Sequence, residues 1–140
     1  MKPYPKSGWL NQRGEGMILG LYSLLVITVM LMIGIEAAGY SMAVWKLRQV
    51  CSETLNQMKI ENGMNSRIEA GFEDLLEDYG LQGFSFRLEG TPCCVQRGDL
   101  LELEAESSYP LSCLRPLGTC WEVPLRIKVR GLAQTFIRGG

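Results

Sequence analysis

Histidine is missing from all 140 residues, which removes the commonest neutral metal ligand and the usual proton carrier near neutral pH. The five cysteines, at positions 51, 93, 94, 113 and 120, include no C-x-x-C pair, so neither a zinc-ribbon spacing nor a thioredoxin-type motif is present. Proline is absent from Lys6 to Thr91, so nothing in that stretch forbids long helices. A dominant charge is lacking too: 14 basic and 15 acidic side chains leave a net charge of -1, with no excess to attract nucleic acid. No Ser-His-Asp set, phosphate-binding glycine loop, calcium loop or paired-carboxylate cleft can be read from the chain. These absences point away from catalysis, cofactors, metals, nucleic acid and small-molecule substrates.

The most informative absence is local. From Met17 to Ile35 nineteen residues pass without a charge, and only Tyr22, Ser23 and Thr28 are polar. A helix of that length rises ~28 Å, close to the ~30 Å hydrocarbon core of a bilayer. The run is therefore expected to cross a membrane. Lys2, Lys6 and Arg13 before it, against Glu15 alone, favour a cytoplasmic N-terminus and place the remainder outside a bacterial cytoplasmic membrane. Tyr22, Tyr40 and Trp45 are candidate interface anchors. A cleaved secretory signal is the competing reading, since Ala37-Ala38-Gly39 and Ser41-Met42-Ala43 supply small residues. Its apolar region is ordinarily shorter than this run, and here the helical pattern continues past it.

Beyond Ile35, Val44, Leu47, Cys51, Leu55 and Met58 form a helical stripe that ends at Asn62-Gly63. A second helix is expected from about Asn65 to Gly80. Ser66 and Glu69 have capping-box spacing, and Ile68, Phe72, Leu75, Leu76 and Tyr79 share a face. The period then changes to two. Phe84, Phe86 and Leu88 alternate with polar residues, as do Leu101, Leu103 and Ala105, and again Val123, Leu125, Ile127 and Val129. If the last two strands pair antiparallel, Glu102, Glu104 and Glu106 face Arg126, Lys128 and Arg130. Gly131 suggests a bulge or a corner. The expected core joins Phe84, Phe86, Leu103, Leu125 and Ile127 to Phe72 and Leu76.

The fold class is α+β. Residues 1–16 form a basic leader, and 17–62 a transmembrane helix extended into an amphipathic one. Residues 63–140 form an outer domain with a short helix and an antiparallel sheet of three to four strands. Among the cysteines, Cys113 and Cys120 bracket CLRPLGTC, whose ends can approach, and a disulfide is expected there. Cys93 and Cys94 diverge if their segment is extended and are not expected to bond each other. Cys51 is expected as a buried thiol, with a bond to Cys93 or Cys94 as the alternative.

The segment Asn11-Gln12-Arg13-Gly14-Glu15-Gly16 before the apolar run, and Lys46-Leu47-Arg48-Gln49-Val50 after it, add a motif to this architecture. Together they resemble the type IV pilin-like plan, and within it the TadE-like minor pseudopilins, notably small pseudopilin-like proteins of Gram-positive bacteria. The resemblance implies a leader cut after Gly14 or Gly16 by a prepilin peptidase. It also implies assembly through the apolar helix with other subunits of a pilus, secretion or conjugation apparatus. Pilins usually carry glutamate five residues after the cut; here Leu19 or Leu21 stands there. The carboxylate embedded in the long apolar region is Glu36, which either reaches water at the interface or pairs with a basic group of a neighbouring subunit. Gly20, Gly34, Ala37, Ala38 and Gly39 are the candidate helix-packing positions, because small residues allow close approach in lipid. The expected function is a non-catalytic structural subunit that contacts lipid and fellow subunits. The alternatives are a solitary membrane anchor whose outer domain binds a partner, and a thiol oxidoreductase using Cys93 and Cys94.

Overall fold

The structure, a computed structural model, describes residues 11–112, 115 and 118–134. Its elements run α1 (Asn11–Glu61), α2 (Ser66–Asp78), β1 (Arg87–Gly90), β2 (Leu100–Pro110) and β3 (Glu122–Leu132). This is the expected α+β arrangement: a long N-terminal helix, a short second helix and a three-stranded antiparallel sheet. Helix α1 starts inside the expected leader, at Asn11. By compactness the chain divides into two units, residues 1–37 and 38–140.

From Asn11 onward the first unit is helical backbone, and its described residues form no core of their own. Every described side chain from Gly14 to Ile35 is exposed. The Thr28 hydroxyl donates to the Leu24 carbonyl at 2.9 Å, which satisfies a polar group within the helix itself.

The second unit has a core. Leu47, Val50, Cys51, Leu55 and Met58 from α1 are buried with Ile68, Phe72 and Leu76 of α2 and with Leu101, Leu103, Ala105, Leu125 and Ile127 of the sheet. The spacing of the α1 residues follows the helical repeat, so one stripe enters the core while Met42, Trp45 and Ile60 stay exposed. Helix α1 ends where Asn62 and Gly63 take φ of 57° and 132°, and the Gly63 N–H reaches back to the Met58 carbonyl at 3.0 Å. Gly63 is required at this point. A Cβ there would stand against the Pro92 carbonyl oxygen and 2.5 Å from the Cys93 Cα.

Helix α2 is capped by Asn65 rather than by the Ser66–Glu69 pair. The Asn65 backbone is extended and its Oδ1 accepts from the Ile68 N–H at 2.9 Å. Asn65 also donates through Nδ2 to Glu61, so its amide is held from both sides, and this places Ser66 inside the first turn.

The sheet order is β1-β2-β3. Strand β1 is shorter than the alternation from Phe84 implies. Phe84 and Phe86 precede it, half-buried, in an aromatic group: Phe84 stacks on Tyr109 at 5.9 Å, and Phe86 meets the Phe72 ring edge-on at 6.2 Å. Ring packing there takes the place of strand pairing. Gly131 makes neither bulge nor corner, because β3 continues in register with Leu101↔Gly131 and Leu100↔Leu132. Its missing side chain lets α1 lie close, since a Cβ would be 2.5 Å from Lys59 Cε and 3.3 Å from Leu55 Cδ2.

Candidate functional site

Three surfaces carry chemistry or contact potential, and each arises from a sequence pattern. The first is the apolar segment of α1. Between Met17 and Ile35 fourteen large apolar side chains and Tyr22 are exposed, among them Leu19 at 67%, Met30 at 67% and Ile35 at 72%. The helix is long and apolar enough to cross a membrane, and the most apolar part of it has no residue buried. Of the expected packing positions, Gly20 and Gly34 have open space where a side chain would be. So do the candidate cleavage glycines, Gly14 and Gly16. Ala37 and Ala38 are exposed and Glu36 is half-buried. Gly39 differs: a Cβ would come 2.6 Å from the Tyr109 hydroxyl, so its small size serves the chain's own domain, where Tyr40 also meets Tyr109 edge-on at 5.7 Å.

The second surface is the outer face of the sheet, where the charge pattern resolves as the alternation implies. The register sets Glu102 opposite Arg130, Glu104 opposite Lys128 and Glu106 opposite Arg126. The ion pairs also run diagonally. Lys128 Nζ is 3.0 Å from Glu102, Arg130 Nε is 2.7 Å from Glu102, and Arg126 Nε is 3.1 Å from Glu106 and bonded to Glu104. The hydrogen bond from Lys128 holds the Glu102 carboxyl below the usual value of 4.5, and the one from Arg126 does the same for Glu104. Arg126 is correspondingly raised, first by its hydrogen bond to Glu104. These groups neutralise one another, so the face offers no single-sign field to an anionic polymer.

The third surface holds the cysteines. Cys51 is a free thiol sealed in the core, and burial pushes it up to about 12, which keeps it protonated and unreactive. Cys93, Cys94 and Cys120 are exposed free thiols. Cys113, the expected partner of Cys120, lies outside the described residues. The Cys93-Cys94 segment is not extended: Cys94 has φ of 78°, and its Sγ lies 3.7 Å from that of Cys93. Sequence spacing gives no sign of this turn, because both residues are as compatible with a strand end as with a tight loop.

Two grooves on the second unit are lined by described residues. One of about 480 Å³ is lined by Gln57, Ile60, Glu61, Arg67, Gly71 and Asp74, with Arg67 and Glu61 3.6 Å apart. Another, of about 300 Å³, sits between Glu69, Phe72 and Glu73 of α2 and Phe84, Phe86 and Leu88. Neither pairs a nucleophile with a base. Among the described residues no group of three or more Cys, Asp or Glu is placed to hold a metal ion.

No curated protein and no solved structure matches the chain. A family pattern does match, over residues 23–138, from within the apolar run through the whole described part of the second unit. That coverage takes in most of the chain, which belongs to the family described as Domain of unknown function (DUF4320).

Proposed function

We propose that the chain is a non-catalytic, membrane-anchored structural subunit. In this reading Met17–Ile35 crosses the bacterial cytoplasmic membrane and the second unit stands outside it. One observation carries it: fourteen large apolar side chains are exposed along a helix that no described residue covers. Full burial of such a side chain is worth about 1.5–3 kcal/mol. The segment would therefore forgo tens of kcal/mol in water, against a stability of about 5–15 kcal/mol for a typical domain. Lipid or neighbouring helices must supply the cover. The basic residues before Met17 orient the N-terminus inwards.

The finer reading is a minor pseudopilin of a pilus-like secretion or conjugation apparatus. Its support is the resemblance of the Asn11–Gly16 segment and of the architecture: an apolar helix running into a stripe that underlies a small sheet. Gly20 and Gly34, with no described residue within 4 Å of where a Cβ would stand, suit close approach by another helix. The test is site-specific cross-linking in membranes. Gly20→Ile and Gly34→Ile should leave expression and insertion intact while reducing cross-links to partner subunits. Cross-linking equal to the parent would favour the solitary anchor instead.

A further inference from the structure

The loop between β1 and β2 is fixed on both sides of its two cysteines. Before them, the Met64 N–H donates to the Thr91 carbonyl at 2.8 Å, and Met64 and Pro92 form an isolated parallel bridge. Thr91 is tied to β2 as well. Its N–H donates to the Glu102 carbonyl at 2.9 Å, and its hydroxyl accepts from the Glu102 N–H at 2.8 Å. After the cysteines, the Val95 N–H donates to the Asn62 carbonyl at 3.1 Å. The backbone in between must turn within two residues, and it does so with a left-handed φ at Cys94, a conformation unfavourable for a residue with a side chain. The result is a pair of exposed thiols with sulfurs 3.7 Å apart. Nothing in the packing of the domain requires exposed sulfur at either position.

We propose that Cys93 and Cys94 form a redox-modification site that closes a reversible vicinal disulfide by exchange with an external disulfide, of a small molecule or of a protein. The Cys94 thiol donates towards the Cys93 sulfur, and that contact raises Cys94. As the donor of that contact Cys94 holds its proton in the first step, and Cys93 is the sulfur that attacks. In the first step the Cys93 thiolate attacks one sulfur of the external disulfide, forms a mixed disulfide and expels the other sulfur as a thiolate. In the second, Cys94 loses its proton to solvent and attacks Cys93, forming the Cys93–Cys94 bond and expelling the second external thiolate. Two cysteine thiols are oxidised and one external disulfide is reduced to two thiols. Adjacent Cα atoms are ~3.8 Å apart, below the span of an ordinary disulfide, so the bond is strained and readily reversed. This site stands on the geometry of the second unit alone and does not depend on the membrane assignment.

The chain is convenient for the test, because tryptic cleavage after Arg87 and Arg97 isolates Cys93 and Cys94 in a peptide without other cysteines. Full-length protein in detergent is equilibrated with oxidised glutathione, alkylated and mapped by mass spectrometry. The expected result is a 88–97 peptide that has lost two hydrogens, escapes alkylation, and recovers both alkylation sites after dithiothreitol. Cys94→Ser should instead trap one glutathione on Cys93. Phenylarsine oxide, which bridges two neighbouring thiols, should protect the parent from oxidation but not this variant. Alkylation of both thiols after oxidation, or linkage of the peptide to one carrying Cys51, Cys113 or Cys120, would overturn the proposal.

Discussion

Replacing Gly63 by alanine should weaken the second unit by about 2–6 kcal/mol, though the change adds a single methyl group. Two contributions make up the figure. At φ of 132° a residue with a Cβ is strained, by about 1–3 kcal/mol. The added Cβ would also meet backbone, the Pro92 carbonyl oxygen and the Cys93 Cα, which have no flexible end to move aside. Relief requires the β1–β2 loop to withdraw, with loss of the Met64–Thr91 and Val95–Asn62 hydrogen bonds, each worth about 0.5–1.5 kcal/mol. Gly98→Ala is the matched control: its φ of 93° is also left-handed, but a Cβ there has open space. It should show the conformational strain alone. Thermal denaturation of the full chain in detergent should lower the midpoint on the order of 10–30 °C for Gly63→Ala and clearly less for Gly98→Ala. Equal losses, or a greater one at Gly98, would refute the close approach between the end of α1 and the loop.

Leu103, fully buried on β2, should cost about 2–5 kcal/mol as alanine in the same assay, whereas Leu19→Ala on the exposed apolar segment should stay within about 0.5 kcal/mol. Asn65→Ala removes the cap of α2 and should cost about 0.5–2 kcal/mol in denaturation. Folding lowers the Glu102 and Glu104 carboxyls below 4.5, so their stabilising effect is fully present above that value and is lost as pH falls through their folded values. The denaturation midpoint should thus be level from pH 7 to about 5 and fall below ~4.5, and a Glu102→Gln/Glu104→Gln variant should fall less steeply, with the difference shrinking at high salt.

Much of this fold is legible in the sequence because its signals are local. An uncharged run, a helical stripe closed by Asn62-Gly63, and strict alternation in β2 and β3 each specify their element without distant information. The charge ladder was legible for the same reason, as two alternating faces of opposite sign admit few registers that satisfy both. What was not legible depends on tertiary neighbours. Phe84 and Phe86 alternate like strand residues, yet Tyr109 and Phe72 draw their rings into a cluster ahead of β1. Gly131 looks like a bulge until Lys59 is found above it, and Gly39 like an intersubunit contact until Tyr109 is. Asn65 and Ser66 are both good caps, and the choice is made by the interaction of Asn65 with Glu61 at the end of α1. The approach of Cys93 to Cys94 is set by hydrogen bonds that flanking residues make with Asn62, Met64 and Glu102, all distant from the pair in sequence.

The central claim, a subunit anchored by Met17–Ile35 with its second unit outside, is tested most directly by thiol labelling on intact bacteria. After treatment with a membrane-impermeant phosphine reductant, cells expressing the full chain are exposed to an impermeant maleimide, before or after lysis. Cys93, Cys94 and Cys120 are exposed in the fold and provide native targets, while buried Cys51 serves as an internal negative. Labelling of the exposed cysteines in intact cells, on protein that sediments with membranes and resists alkaline extraction, is the predicted result. Labelling that appears only after lysis, or a chain released from membranes by alkali, would contradict it.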